Sequence, residues 1–262
     1  MPSATTVAIW VTSHAQAMSR RVYFMSGLSL KVMLDCDADA SWELDDLIAN
    51  AAIAAARARD TAFIGRAAAD VSGDMAVDML VKAGIDIAGL DRYSDVPLPL
   101  TLESRGARTI YTIPSAEPFN PVWPRFEAGD IMVWGGYFSI DPGVHAMMLD
   151  LLRYASARKV TMIYVPYFTS LQVPRVTRVM PRIFDNLELA DIVIASADII
   201  AAIFENSDMA AVYTHNISFY ARRFFAIDEA AGTLTEYSAE GEVARDAAMP
   251  QSAIIASIVI AL

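Results

Sequence analysis

Along most of this chain, short runs of β-branched and aromatic residues take turns with longer helix-like stretches, and this alternation restricts the fold more than any other feature. The candidate strands are Val22 to Met25, Thr61 to Ile64, Ile131 to Trp134, Val160 to Val165, Ile192 to Ala195 and Ala211 to Thr214. Helical stretches lie between them, near Leu47 to Arg59, Ser72 to Ala83, Val144 to Ala157 and Val173 to Asn186. Apolar strands alternating with helices predict an α/β fold, a mostly parallel sheet covered on both faces. One stretch breaks the rhythm: Val96 to Leu102 and Arg108 to Ile113 flank the turn Glu103-Ser104-Arg105-Gly106-Ala107. That is a hairpin signal, and it predicts a small β-lid at about residues 96–113, standing off the main sheet.

A hydrophobic content of 55% over 262 residues can fill one large core. Residues 22–262 therefore read as a single domain, and residues 1–21 as an N-terminal extension without the early basic residue of a secretory signal. No apolar run reaches the ~18–20 residues that cross a bilayer. The formal charge of −11 argues against nucleic acid or an anionic membrane as partner. Cys36 is the single cysteine, so an internal disulfide is impossible and a reducing, cytoplasmic setting is expected. His14, His145 and His215 lack the i, i+4 partner of a helical metal pair, and no metal site is expected.

The segment Asp246 to Leu262, DAAMPQSAIIASIVIAL, reads as a buried apolar helix with Pro250 in its first turn and Ser252 near its cap. A phosphoryl-transfer site at a helix start needs exposed backbone N–H groups, and glycines that let anionic oxygens approach. Pro250 has no N–H, and Met249 adds a bulky side chain. Ser252 offers a hydroxyl where a general base would be a carboxylate.

Several segments together resemble the ribokinase (PfkB) family of carbohydrate kinases. Phe63-Ile64-Gly65 with Asp70 and Gly73 is similar to the family's F-I-G-x-v-G-x-D-x-x-G, with Ala68 in place of a glycine. Lys82-Ala83-Gly84-Ile85-Asp86 resembles x-x-G-V-D, and Gly129 to Tyr137 resembles the strand and glycine turn at mid-chain. Leu189 to Ile194 resembles the strand before the N-x-x-E motif, and the hairpin matches the lid strands. The order and spacing of these pieces imply the ribokinase-like three-layer sandwich with a β-lid.

The positions that carry the family's chemistry have changed. The sugar-contacting G-G-x-x-x-N corresponds to Asp45-Asp46-Leu47-Ile48-Ala49-Asn50, which makes Asp45, Asp46 and Asn50 the candidate substrate contacts. A further sugar-binding Asp falls on Val32, and of D-P-N-x-R only Pro166 survives. N-x-x-E becomes Ala195-Ser196-Ala197-Asp198, and T-x-G-x-x-G becomes Thr214-His215-Asn216-Ile217-Ser218-Phe219. The resemblance thus assigns Thr214, Asn216, Asp198 and Gln251 to the nucleotide side, with Phe219 filling space there. Ser252 takes the place of the catalytic base, and Asp246 is the surviving acid beside it. Family members also run on for two more helices past the counterpart of Leu262.

Three functions follow as expectations. The first is a sugar-kinase homologue that has lost ATP-dependent phosphotransfer and acts by binding or assembly, needing no cofactor. The second is an active carbohydrate or nucleoside kinase using ATP and Mg²⁺ to phosphorylate a sugar hydroxyl. The third is a structural subunit that dimerises through its lid.

Overall fold

A computed structural model describes residues 20–34, 40–105 and 107–262 of the chain. Cys36, His14, Gly106 and nearly all of the N-terminal extension lie outside the described residues. In chain order, β1 (Val22–Gly27) enters the core, and β2 (Leu30–Met33) and β3 (Ser41–Leu44) leave it for the lid. Then come α1 (Leu47–Ala55), β4 (Thr61–Ala68), α2 (Val71–Lys82), β5 (Asp86–Tyr93) and the lid strands β6 (Leu100–Ser104) and β7 (Ala107–Tyr111). The chain returns through β8 (Ile131–Gly135), α3 (His145–Ser156), β9 (Thr161–Val165), α4 (Met180–Leu187), β10 (Ile192–Ser196), α5 (Ala197–Phe204) and α6 (Met209–His215). It ends with β11 (Arg223–Asp228), β12 (Thr233–Ser238), β13 (Gly241–Asp246) and α7 (Gln251–Ala261).

The nine-stranded main sheet has the order β13-β12-β11-β10-β9-β8-β1-β4-β5. Every neighbour pair from β5 through β11 is parallel, and β12 and β13 extend the edge as an antiparallel meander. Strand β1 shows why a sheet covered on both sides needs continuous apolar strands. Tyr23 and Met25 pack into one core with α3 to α6, whereas Val22 and Phe24 pack into a second core with α1, α2 and α7. The result is the three-layer α/β sandwich that the alternation predicts.

Local signals explain most helix ends. Asp46, Asp70 and Asp208 accept the N–H of the third residue onward and so cap α1, α2 and α6. Helix α2 stops at Gly84, whose φ of +80° is a conformation that side-chain-bearing residues avoid. The Ala211 to Thr214 strand is corrected by this capping. Asp208 Oδ1 accepts the Ala211 N–H at 3.0 Å, and the segment is helix α6, with Val212 turned into the core. The strand expected there is Arg223–Asp228, parallel to β10.

The lid is broader than the hairpin signal. Strands β6 and β7 pair antiparallel as expected, but β2 joins β6 in parallel and β3 pairs with β2, giving the order β3-β2-β6-β7. No helix among the described residues is long and apolar enough to cross a membrane.

Candidate functional site

Parallel strands all end at one edge of the sheet, and the loops beyond those ends are where open α/β sheets place ligands. Here the C-terminal ends of β1, β4, β8 and β9 deliver Ser26, Arg66, Gly136 with Tyr137, and Tyr167 to the floor of one cleft. The segment after β7, Thr112 to Ser115, closes it from the lid side, leaving an open volume of ≈ 840 Å³. Gly136 makes the turn at the floor with a φ of +66°, close to Ser26 Oγ and Asp46 Oδ2.

Asp46 faces this cleft while capping α1. Its Oδ1 accepts the Ala49 N–H at 2.7 Å, and its Oδ2 accepts the Ser26 hydroxyl at 2.8 Å. Burial pushes its carboxyl up to about 6, against those two hydrogen bonds and with help from neighbouring Asp45. A carboxyl raised on folding favours the native state below its ordinary value of 3.8 and loses that advantage as pH rises through about 6. Asp46→Asn keeps an acceptor for Ala49 and removes the buried charge. It is expected to stabilise the protein by about 2 kcal/mol at pH 8, a rise of roughly 4–8 °C in Tm. The gain should vanish near pH 4, and thermal melts of both proteins across that range check it.

Asp45 is engaged with the lid. Its carboxylate accepts the Thr101 hydroxyl of β6 and pairs with Arg108 of β7 at 2.8 and 2.9 Å. This two-pronged contact ties the start of α1 to both strands of the hairpin. Arg108 is 37% exposed, so the pair contributes about 1 kcal/mol rather than the value of a dry one. Arg108→Ala is expected to speed amide exchange of residues 100–111 about fivefold, with the main sheet unchanged.

Asn50 lies outside the cleft lining, where its side-chain amide donates to the Leu44 carbonyl at 2.9 Å and joins the end of β3 to α1. Of the three substrate contacts implied by the resemblance, the fold brings Asp45 and Asp46 together in the cleft. Val32 is buried in the lid sheet.

Sequence reasoning missed Ser26, Arg66, Tyr93, Tyr137 and Tyr167. Arg66 is 8% exposed and is held from several sides. Its Nη2 donates to the Ser115 hydroxyl and the Glu117 carbonyl, its Nε lies 3.3 Å from Asp91, and its guanidinium stacks on Tyr93. Burial pushes the Tyr93 phenol up to about 12 and Tyr167 upward as well. These residues stand at or just past the ends of different strands, and only the parallel topology collects them.

The second half of the site would be the start of α7. The space in front of it is open, ≈ 1010 Å³, lined by Glu229 to Gly232 and Met249 to Gln251. The expectation of a filled pocket is corrected, because Phe219 is 76% exposed and fills nothing. What the helix start lacks is donors. Pro250 is the cap residue and has no N–H, and the Met249 N–H is engaged by the Ala247 carbonyl at 2.9 Å. The N–H groups of Ala253 and Ile254 both turn back to the Pro250 carbonyl, so only those of Gln251 and Ser252 remain for an anion. Ser252 is part-buried and brings no carboxylate. These residues do not fit a nucleotide triphosphate in the way a glycine-rich helix start does.

The remaining candidates are scattered. Asp198 stands exposed in the first turn of α5, at the same sheet edge as the cleft. Asp246 ends β13 and lines an apolar groove beside α7, which shares Ala247, Met249 and Ile254 with the open space but brings Asp246 only to its own lining. Thr214 and Asn216 lie near the opposite edge of the sheet. Neighbouring Tyr213 donates to the Arg222 carbonyl just before β11 begins, and the Thr214 hydroxyl donates back to Ala210 at 2.8 Å. The turn that follows β11 at the cleft edge is Glu229 to Gly232, with Gly232 at a φ of +65°. The T-x-G-x-x-G overlay thus lies in helix α6 and the turn after it, not in a turn that follows a strand. Glu229 is a carboxylate that lines the space in front of α7. Among the described residues, no group of three or more His, Cys, Asp and Glu is placed to hold a metal ion.

A family model described as pfkB family carbohydrate kinase matches residues 48–226. Among solved structures, aminoimidazole riboside kinase from Salmonella enterica, complexed with aminoimidazole riboside and an ATP analog, superposes with a TM-score of 0.79 at 16% identity. The match covers 92% of this chain and 84% of that one. Fructokinase from Vibrio cholerae O395, bound to fructose, ADP and calcium, gives 0.77 at 15% identity over 88% of this chain and 78% of its own. Fructokinase with bound ATP from Xylella fastidiosa gives 0.73 at 17%, covering 93% and 82%. At such identities the likeness speaks for the fold. No curated protein matches the sequence.

Proposed function

Because this chain belongs to the pfkB family of carbohydrate kinases, we propose that its cleft binds a polyhydroxylated ligand, a sugar or nucleoside, without transferring phosphate to it. The observation that carries this reading is the start of α7. Phosphoryl transfer rests almost entirely on positioning and charge stabilisation, and a helix start with Pro250 at its cap and Ser252 at the base position supplies little of either. The cleft under the lid, by contrast, keeps hydroxyl-binding groups in Ser26, Asp46 and Gln172.

Active phosphotransfer with ATP and Mg²⁺ is the rival reading, and Glu229 in front of α7 is the observation in its favour. A carboxylate there can in principle take a proton from an attacking hydroxyl. Incubation with ATP, Mg²⁺ and a panel of sugars and nucleosides separates the two. No ADP release and no nucleotide-dependent rise in Tm are expected. Turnover that disappears in Glu229→Gln would overturn the proposal. Assembly is a further part of it. Trp42, Leu102 and Tyr111 are 43%, 38% and 52% exposed on one face of the lid sheet, which supports pairing of two copies through that face.

A further inference from the structure

The cleft is lined by carboxylates and aromatic residues, while its one lining arginine, Arg66, lies against Asp91. We infer that it selects ligands by charge, accepting neutral or amine-bearing polyols and excluding sugar phosphates and sugar acids. This rests on the reading of the cleft as a polyol site.

Four charged groups line the cleft: Asp45, Asp46, Asp141 and Arg66. Asp45 is matched by Arg108, and Arg66 is matched by Asp91, with its Nη2 held by Ser115 and Glu117 and its face on Tyr93. Arg182, the nearby cation felt by Tyr137, lies outside the lining and reaches the Ile140 carbonyl. Among the described residues, neither Asp46 nor Asp141 forms an ion pair with a basic side chain. Ser26 and Ala49, both neutral donors, hydrogen-bond the Asp46 carboxyl, and the Asp141 carboxyl accepts the Gly143 N–H.

An anionic ligand would have to enter beside those carboxylates, and the one cation of the lining, Arg66, already sits against Asp91 with its Nη2 held by Ser115 and Glu117. A hydroxyl, or an ammonium, meets the opposite situation. Carboxylates accept from both, and Tyr137 and Tyr167 line the same cleft, where aromatic rings attract a cation. The raised carboxyl of Asp46 acts in the same direction, since a cationic neighbour relieves it and an anionic one raises it further.

The test is calorimetric titration of the full chain, at low salt, with D-fructose, D-glucosamine, D-fructose 1-phosphate and D-gluconate, repeated with adenosine and its 5′-monophosphate. The uncharged or amine-bearing member of each comparison should bind at least tenfold more tightly than its anionic counterpart. In an Asp46→Asn, Asp141→Asn double variant, that ratio should fall toward one. Equal or tighter binding of the phosphate or acid by the unaltered chain overturns the charge rule while leaving a polyol site standing. Absence of heat from all six compounds refutes the polyol reading, and the charge rule with it.

Discussion

Replacing Met249→Gly, Pro250→Ala, Gln251→Gly and Ser252→Asp together is expected to raise ATP-dependent transfer to a bound polyol by at least about a hundredfold over the unaltered chain. The expectation follows from what the start of α7 lacks. A positioned general base contributes roughly 10²–10⁴ in rate, and a single oxyanion donor about 10²–10³. The two should fail separately for different reasons. Ser252→Asp alone adds a base beside an anion cradle that still lacks the Pro250 donor, so nucleotide binding should stay absent. The three cradle substitutions alone should bring nucleotide binding, read as a Tm rise with ATP, without turnover. The helix tolerates the changes because Ile254, Ile255, Ala256, Ile258 and Val259 hold it in the second core. An unaltered chain that already turns over at the ~1–100 s⁻¹ of ordinary kinases would sink the account. A fourfold variant that melts normally yet ignores ATP would also count against it.

Such an experiment is conceivable because the scaffold was legible where burial is two-sided. Strands β1, β8, β9 and β10 are apolar at nearly every position, and such runs between helices have few alternatives to a parallel sheet. Legibility failed where local chemistry competes. Ala-Val-Tyr-Thr at 211–214 has strand-like residues, yet the Asp208 cap and the buried Val212 make it helical. That helix carries Thr214 and Asn216 toward the start of β11, away from the strand ends that form the cleft. Strands β2 and β3 went unseen because each is four residues long and only half-buried. The cleft was the least legible part. Asp45 and Asp46 were found from their neighbours in sequence, but Ser26, Arg66, Tyr137 and Tyr167 each sit at the end of a different strand. The resemblance marks the stretches around Tyr137 and Tyr167, but a window around any one of the four does not reveal the other three. Asp45 shows a further limit, since only the fold reveals that it holds Thr101 and Arg108 of the lid.

The turn beneath Tyr137 depends on a polar residue that no motif marks, and its removal should be costly. Asn186 is fully buried in α4. It accepts the Trp134 indole N–H at 2.8 Å and donates to the carbonyls of Ser139 and Arg182 at 3.0 and 2.7 Å. Ser139 sits in the turn after β8, and its carbonyl also receives His145 Nδ1 at 2.8 Å. Asn186→Leu fills similar space but strands the Trp134 N–H in the core and takes one of two donors from Ser139. Each buried group left without its partner costs about 1–3 kcal/mol, so a loss of about 3–4 kcal/mol is expected, roughly 6–16 °C in Tm. Asn186→Asp distinguishes lost hydrogen bonds from lost shape. The ionised carboxyl can receive the indole N–H but has no proton for the Ser139 carbonyl, whereas the protonated one can serve both. Burial raises such a carboxyl, so this variant should be most stable at low pH and lose stability as pH rises past the ordinary carboxylate range. The Asn186→Leu deficit should stay constant over the same range. In a cycle with Trp134→Phe, the two single losses should sum to well over the loss of the double variant, because both break one bond. Strict additivity, or an Asn186→Asp protein indifferent to pH, would mean that this network does not hold the floor of the cleft.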